Sequence, residues 1–173
     1  YDSDNRLLSL TDPQGQATTF TYDQNGLLLQ ETLPGGGVTT YTYQNGLPVT
    51  MTDPAGITLS YTYDPAGRII GITDSAGTTA FSYDAGDKVT SITDPLGNTV
   101  TKEYDQQGNL TKTTDAKGKI TRYTYDTNDN LITVTNALNQ TVRYEYDNED
   151  RLRKVFDAKG NATVMQYDGV GRM

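Results

Sequence analysis

The side chains that could do chemistry in this sequence are carboxylates and tyrosine hydroxyls, because it contains no His, no Cys and no Trp. Without imidazole or thiolate, the usual ligands of zinc, haem and iron–sulfur sites are missing, and so are thiol nucleophiles and a Ser–His–Asp relay. Disulfides are excluded too. Acid–base work by paired carboxylates would draw on clusters such as Asp147, Glu149 and Asp150. It would need surroundings that hold two carboxyl pKa values apart, and these three fall in a stretch that reads as a solvated turn. Asp126-Thr127-Asn128-Asp129-Asn130 opens like a calcium loop, but its twelfth position is Ala137, where an EF-hand needs a bidentate Glu. Gly35-Gly36-Gly37 could cradle a phosphate only ahead of a helix. A Thr- and Tyr-rich strand follows instead, so the run reads as an enlarged turn. Asn109, Asn139 and Asn161 begin formal glycosylation sequons, which a chain with 29 threonines produces by chance. Rows of Tyr and Thr could stack sugars, although strand packing accounts for the same residues. The expectation is no catalytic residue, no metal ligand and no cofactor.

Composition sets the next bounds. The chain has 173 residues, 14 basic and 22 acidic, for a net charge of −8. Leu, Ile, Val and Phe number 33, about 19%, which with that charge falls in the composition range of disordered chains. Residues 1–86 hold two basic and nine acidic side chains, residues 87–173 twelve and thirteen, so neither half is the basic patch that nucleic acid requires. No stretch approaches the roughly 20 apolar residues of a membrane span, and no charged-then-apolar leader opens the chain. A soluble protein, or part of one, is expected, with neither nucleic acid nor membrane insertion among its partners.

A repeat overturns the disorder reading. Tyr1, Tyr22, Tyr43, Tyr63, Tyr83, Tyr104, Tyr125, Tyr146 and Tyr167 recur every 20 or 21 residues, giving eight complete repeats and a stub. Asp follows eight of these nine: Asp2, Asp23, Asp64, Asp84, Asp105, Asp126, Asp147 and Asp168, with Gln44 the exception. Four residues after the tyrosine stand Asn5, Gly26, Gly67, Asp87, Gly108, Asp129, Asp150 and Gly171, types that tolerate positive φ. The shorter repeat at Tyr43 puts Asn45-Gly46 in this turn, the favoured two-residue hairpin dipeptide. About ten residues further on comes a second turn, as in Asp12-Pro13-Gln14-Gly15, Asp53-Pro54-Ala55-Gly56 and Asp94-Pro95-Leu96-Gly97. Variants end at Gly77, Gly118 and Gly160, and Leu33-Pro34-Gly35-Gly36 and Asn136-Ala137-Leu138-Asn139 are looser copies. Asp first, Pro second and Gly fourth is type I turn chemistry.

Between the turns lie short segments rich in Thr, Tyr, Val, Ile and Leu, which are strand formers. Phe20, Tyr41, Tyr61, Phe81, Lys102, Tyr123, Tyr144 and Met165 stand two before each anchor tyrosine, on the same sheet face. Each repeat therefore reads as one β-hairpin. The predicted fold is all-β: tandem hairpins in an antiparallel meander of about 16 strands forming a coiling sheet. Each hairpin is expected to bury its apolar side chains against its neighbours rather than in a central core. The anchor tyrosines are expected to stack cross-strand in a ladder, and each Asp to accept N–H bonds of its turn.

The pattern Tyr-Asp-x-x-Gly-Arg-Leu/Ile, then Thr-Asp-Pro-x-Gly, then Thr-x-Tyr resembles the YD repeats of Rhs proteins. Tyr63-Asp64-Pro65-Ala66-Gly67-Arg68-Ile69 and Tyr167-Asp168-Gly169-Val170-Gly171-Arg172-Met173 carry it most fully, and the resemblance spans essentially all 173 residues. It implies a group that includes Rhs toxins, insecticidal toxin-complex proteins, wall-associated repeat proteins and teneurins, in which such repeats form a spiralling β-shell. In the bacterial toxins, the resemblance implies, the shell encloses a variable C-terminal toxin. The group also carries a self-cleavage motif, Pro-x4-Asp-Pro-x-Gly-Leu. Pro48 through Asp53-Pro54-Ala55-Gly56-Ile57 matches it apart from Ile for Leu. Since Asp-Pro-x-Gly is the repeat's own turn and further repeats follow, this segment reads as a turn.

The expected domain plan is thus one YD-repeat array over residues 1–173, a segment of a longer array. The expected function is a non-catalytic scaffold, part of a shell that encapsulates and delivers a polymorphic toxin, secreted or at the surface of a bacterium. Its partners would be flanking YD repeats and an enclosed toxin domain of the same protein. The alternative is an adhesion module that recognises a surface glycan or protein.

Overall fold

The computed structural model describes residues 1–172 and is all-β, with no helix among them. Met173, the last position of the second motif quoted above, lies outside the described residues. The chain divides into two compact units, the first ending at Phe81 and the second beginning at Ser82. In the first lie β1 (Ser9–Thr11), β2 (Ala17–Tyr22), β3 (Leu28–Thr32), β4 (Val38–Gln44), β5 (Leu47–Thr52), β6 (Thr58–Tyr63), β7 (Ile69–Asp74) and the start of β8 (Gly77–Tyr83). The second contains β9 (Val89–Thr93), β10 (Thr99–Tyr104), β11 (Leu110–Thr114), β12 (Ile120–Tyr125), β13 (Leu131–Thr135), β14 (Thr141–Tyr146), β15 (Leu152–Phe156) and β16 (Ala162–Val164). Strand order in the sheet follows chain order from β1 to β16, an antiparallel meander.

Most turns of both kinds share one geometry. In the turn opened by Asp23, the Gly26 N–H donates to the Asp23 carbonyl (3.1 Å) and the Asp23 N–H to the Leu27 carbonyl (2.9 Å). That is a type I turn followed by a left-handed residue, the G1-bulge hairpin. The left-handed seat is taken by Gly26 (φ 84°) or, elsewhere, by Asn5, Asp87, Asp129 and Asp150, whose short polar side chains tolerate it. The Leu33 turn has the same size as the rest, with Gly36 in the left-handed seat and the Leu33 N–H bonded to Gly37, so the three glycines do not enlarge it. Two turns are one residue tighter. Asn45 and Gly46, both at positive φ, join Gln44 to Leu47, and Ser75-Ala76 join the paired Asp74 and Gly77. These two deletions are the two 20-residue spacings.

Beside six of the anchor tyrosines the register slips by one residue. Thr21 faces Gln30 but Tyr22 faces Leu28, leaving Leu29 extra, and the slip recurs at Tyr43 and Tyr63 and at Tyr104, Tyr125 and Tyr146. Such bulges bend the strand and raise its twist.

One face carries the anchors and the aromatics two before them, as in the row Tyr123, Val134, Val142. The other is rich in threonine: Thr42 pairs with Thr50 through hydroxyls 2.6 Å apart, and Thr124 with Thr133 likewise. Along β2 exposure alternates strictly, with Thr18, Phe20 and Tyr22 half-buried and Ala17, Thr19 and Thr21 exposed. No hydrophobic side chain among the described residues is fully buried, and Gly71 is the one buried residue. The expected burial between hairpins is therefore only partial, because among the described residues each strand packs only against its neighbours in the sheet.

Candidate functional site

The anchor tyrosines do not face one another across strands. Their cross-strand partners are aliphatic: Tyr22 with Leu28, Tyr63 with Ile69, Tyr104 with Leu110, Tyr125 with Leu131 and Tyr146 with Leu152. Successive anchors sit two strands apart, which corrects the expectation of a stacked tyrosine ladder. What links the repeats is the phenol hydroxyl. It donates to the backbone carbonyl fifteen residues earlier: Tyr22 to Leu7 (2.9 Å), Tyr43 to Leu28 (2.8 Å) and Tyr63 to Pro48 (2.6 Å). In the second unit Tyr104 reaches Val89, Tyr125 Leu110, Tyr146 Leu131 and Tyr167 Leu152, at 2.9–3.0 Å.

The position of these bonds explains why the residue is tyrosine. Between β3 and β4 the paired register runs only from Gln30–Thr40 to Thr32–Val38, away from the anchor end. Where that ladder stops, the Tyr43 ring crosses to β3 and its hydroxyl satisfies the Leu28 carbonyl, itself in the residue that faces Tyr22. These seven anchors thus tie their own hairpins to the preceding ones. Burial raises the phenol pKa of Tyr43, Tyr63, Tyr125 and Tyr146 above the ordinary value.

The aspartate after the tyrosine organises the turn. One Asp64 carboxylate oxygen accepts the N–H groups of Ala66 (2.9 Å) and Arg68 (3.0 Å), and the other accepts Arg68 Nε (2.7 Å). The Arg68 N–H bond is the largest influence holding its pKa below the carboxylate norm. Asp2, Asp147 and Asp168 are lowered in the same surroundings, with Arg6, Arg151 and Arg172 in the position of Arg68. Second-turn aspartates do the same: Asp157 accepts Lys159 and Asn161 N–H groups and the Asn161 side chain.

The residues with catalytic or metal-binding potential are all engaged in these turns. Arg151 pairs with Asp147 and Glu149, while Asp150 accepts Asn128 and Asn130 side-chain amides. Asp126, the first residue of the calcium-like stretch, accepts the N–H groups of Asn128 and Asn130. Among the described residues no three carboxylates gather as a metal site, and no helix is long and apolar enough to cross a membrane.

A second inter-repeat contact was not foreseen from the sequence. The residue just after the left-handed seat reaches forward to the next hairpin. Arg6 lies over the Tyr22 ring at 5.5 Å and donates to the Asp23 carbonyl (3.1 Å); Lys88 lies over Tyr104 at 5.5 Å and Arg151 over Tyr167 at 5.0 Å. In all three the next left-handed seat is glycine, Gly26, Gly108 or Gly171; at Gly108 an added Cβ would collide with the Lys88 side chain, whereas at Gly26 and Gly171 it would only touch the arginine. Where that seat is Asp129 or Asp150, the forward-reaching residue is instead Asn109 or Asn130, whose amide donates to the aspartate at 2.7 Å. The sequence carries little signal for this contact, because the two positions do not vary together throughout: Arg68 is followed by an aspartate seat, Asp87, and Leu27 and Leu47 by glycine seats. At the Asn109 junction a groove of about 560 Å³ opens beside the Tyr125 ring, lined by Asp105, Tyr123, Thr124, Asp126 and Asp129 among others. A matching groove of about 540 Å³ opens at Tyr63, where Leu47 takes the forward position.

Three solved structures are similar in fold to this chain. The crystal structure of TcdB2-TccC3-TEV matches with a TM-score of 0.62 and 18% identity, over 95% of this chain and 11% of that one. The crystal structure of TcdB2-TccC3 without its hypervariable C-terminal region gives 0.61 and 16%, over 90% and 11%. A Photorhabdus luminescens Tc holotoxin pore carrying a TccC3 mutation gives 0.50 and 16%, over 91% and 13%. The chain thus spans about a tenth of the length of these neighbours. A comparison with curated proteins finds no match. The RHS Repeat family matches seven overlapping stretches, residues 1–38, 22–58, 44–79, 63–99, 83–120, 104–141 and 125–155, and the chain belongs to that family.

Proposed function

We propose that this chain is a non-catalytic segment of an Rhs-repeat β-shell in a secreted or surface-exposed bacterial protein, and that the complete shell encloses and delivers a toxin domain of the same polypeptide. On this reading residues 1–173 form one continuous array within a longer one, its flanking repeats being its first partners. The Tyr–Asp pairs and turn glycines serve as structural anchors. The observation that carries the reading is the bond, repeated at seven anchors, from the tyrosine hydroxyl to the hairpin before it, which makes these hairpins equivalent and extendable units. The toxin assemblies of similar fold, one defined by the absence of a hypervariable C-terminal region, support the encapsulating role.

Limited proteolysis of the complete protein tests this. A C-terminal domain that resists protease in the native protein, is cut after mild unfolding, and is toxic only when freed is the expected result. A freely digested C-terminal region, or saturable glycan binding by the intact protein, would favour the adhesion reading instead.

A further inference from the structure

The junctions at Tyr22, Tyr104, Tyr125 and Tyr167 offer the same seat, the face of an anchor tyrosine next to the carboxylates and carbonyls of its turn. In three junctions the chain fills it with its own cation: Arg6 over Tyr22, Lys88 over Tyr104 and Arg151 over Tyr167. At the junction before Tyr125 it does not. Asn109 is too short to cover the ring and turns to Asp129 instead, and among the described residues no cation lies over Tyr125. The result is the groove of about 560 Å³, whose lining includes three carboxylates and no basic residue.

We infer that this groove is a docking site for an arginine or lysine side chain presented by a partner peptide, which would occupy the place that Lys88 takes one repeat earlier. The internal cations show what chemistry the seat accepts. A guanidinium or ammonium group over a tyrosine face is attracted by the ring quadrupole, and in Arg6 the same group also donates to the turn carbonyl of Asp23. The equivalent carbonyl here, on Asp126, accepts the Asp129 N–H and retains a second lone pair. Asp105, Asp126 and Asp129 supply the complementary charge. The Tyr63 groove is a poorer seat, since Leu47 and Val49 line it and Asp64 is its one carboxylate, already paired with Arg68. The inference concerns these side chains alone and holds whether or not the array encloses a cargo.

A blocked tripeptide, acetyl-Gly-Arg-Gly-amide, is the probe, with its citrulline analogue as the uncharged control of equal shape. Titrated into isotopically labelled protein, the arginine peptide should shift the ring signals of Tyr125 and Tyr123 saturably, while the citrulline peptide should bind about fivefold more weakly or worse. Asn109→Arg, which supplies the missing cation from within, should abolish the shifts, and Asn109→Lys, copying Lys88, provides the same test should the first variant fail to fold. Equal binding of both peptides, shifts spread evenly over all anchor tyrosines, or full binding by a folded Asn109→Arg or Asn109→Lys variant would each overturn the inference.

Discussion

Replacing Tyr125 with Phe removes one atom and isolates the bond on which the inter-repeat linkage rests. The Tyr125 hydroxyl donates to the Leu110 carbonyl at 2.9 Å, while the ring faces Leu131. A net hydrogen bond of this kind is worth about 0.5–1.5 kcal/mol, so Tyr125→Phe should destabilise by about 1 kcal/mol. Tyr125→Ala also removes the ring. A fully buried aromatic truncation costs about 3–5 kcal/mol; this ring is half-buried, so about half of that plus the hydrogen bond gives roughly 2–3 kcal/mol. The internal control within residues 1–173 is Tyr1, which is 78% exposed. Tyr1→Phe should stay within about 0.5 kcal/mol of wild type. Tyr167 bonds Leu152 at 2.9 Å as the interior anchors do, so it should respond like Tyr125 rather than like Tyr1. Chemical denaturation supplies the free energies. Because stability in a repeat array is a sum of neighbouring interfaces, amide exchange should show the loss concentrated in β11 and β12. An unchanged midpoint for Tyr125→Phe, or an equal loss for Tyr1→Phe, would refute the linkage.

Acid should loosen the turns. Asp64, Asp147 and Asp168 have lowered folded pKa values, from backbone and arginine hydrogen bonds. Their contribution is therefore complete above the ordinary carboxylate range and is lost as pH falls through the depressed folded values; a urea midpoint that stays constant from neutral pH down to about pH 2 would contradict this. Gly71→Ala should cost about 1–3 kcal/mol by overpacking, because an added Cβ would lie 2.5 Å from Thr62 Oγ1, and a neutral thermal shift would show that Thr62 simply rotates away. Calorimetry with zinc or copper should show no stoichiometric binding, as expected of a chain without His or Cys.

Much of the fold could be read from residue spacing. The turns were legible because their left-handed seats admit few residue types, so Asn5, Asp87, Asp129 and Asp150 stand out as clearly as the glycines. Strand order followed from the short connections between hairpins. The tyrosine's true role was less legible, since its spacing shows that anchors share a face but not that they lie two strands apart with a bulge beside them. A hydroxyl reaching fifteen residues back depends on where the ladder between hairpins stops, which is a property of the bulged register. At the Leu33 turn three consecutive glycines suggest length, whereas one of them, Gly36, takes the left-handed seat in a turn of ordinary size. The shortened Asp74 turn shows the converse, as its sequence matches the type I pattern yet closes one residue early. Partial burial throughout also has no local sequence signal, because it reflects strands packing only against their sheet neighbours and not any one residue.

The proposal at stake is that these hairpins form the wall of a shell. Electron cryo-microscopy of the complete protein tests it most directly. The account predicts that residues 1–173 continue, hairpin by hairpin, into a closed β-shell with polypeptide density inside it. An open array with no enclosed chain, or a bound substrate seated on these repeats, would contradict it.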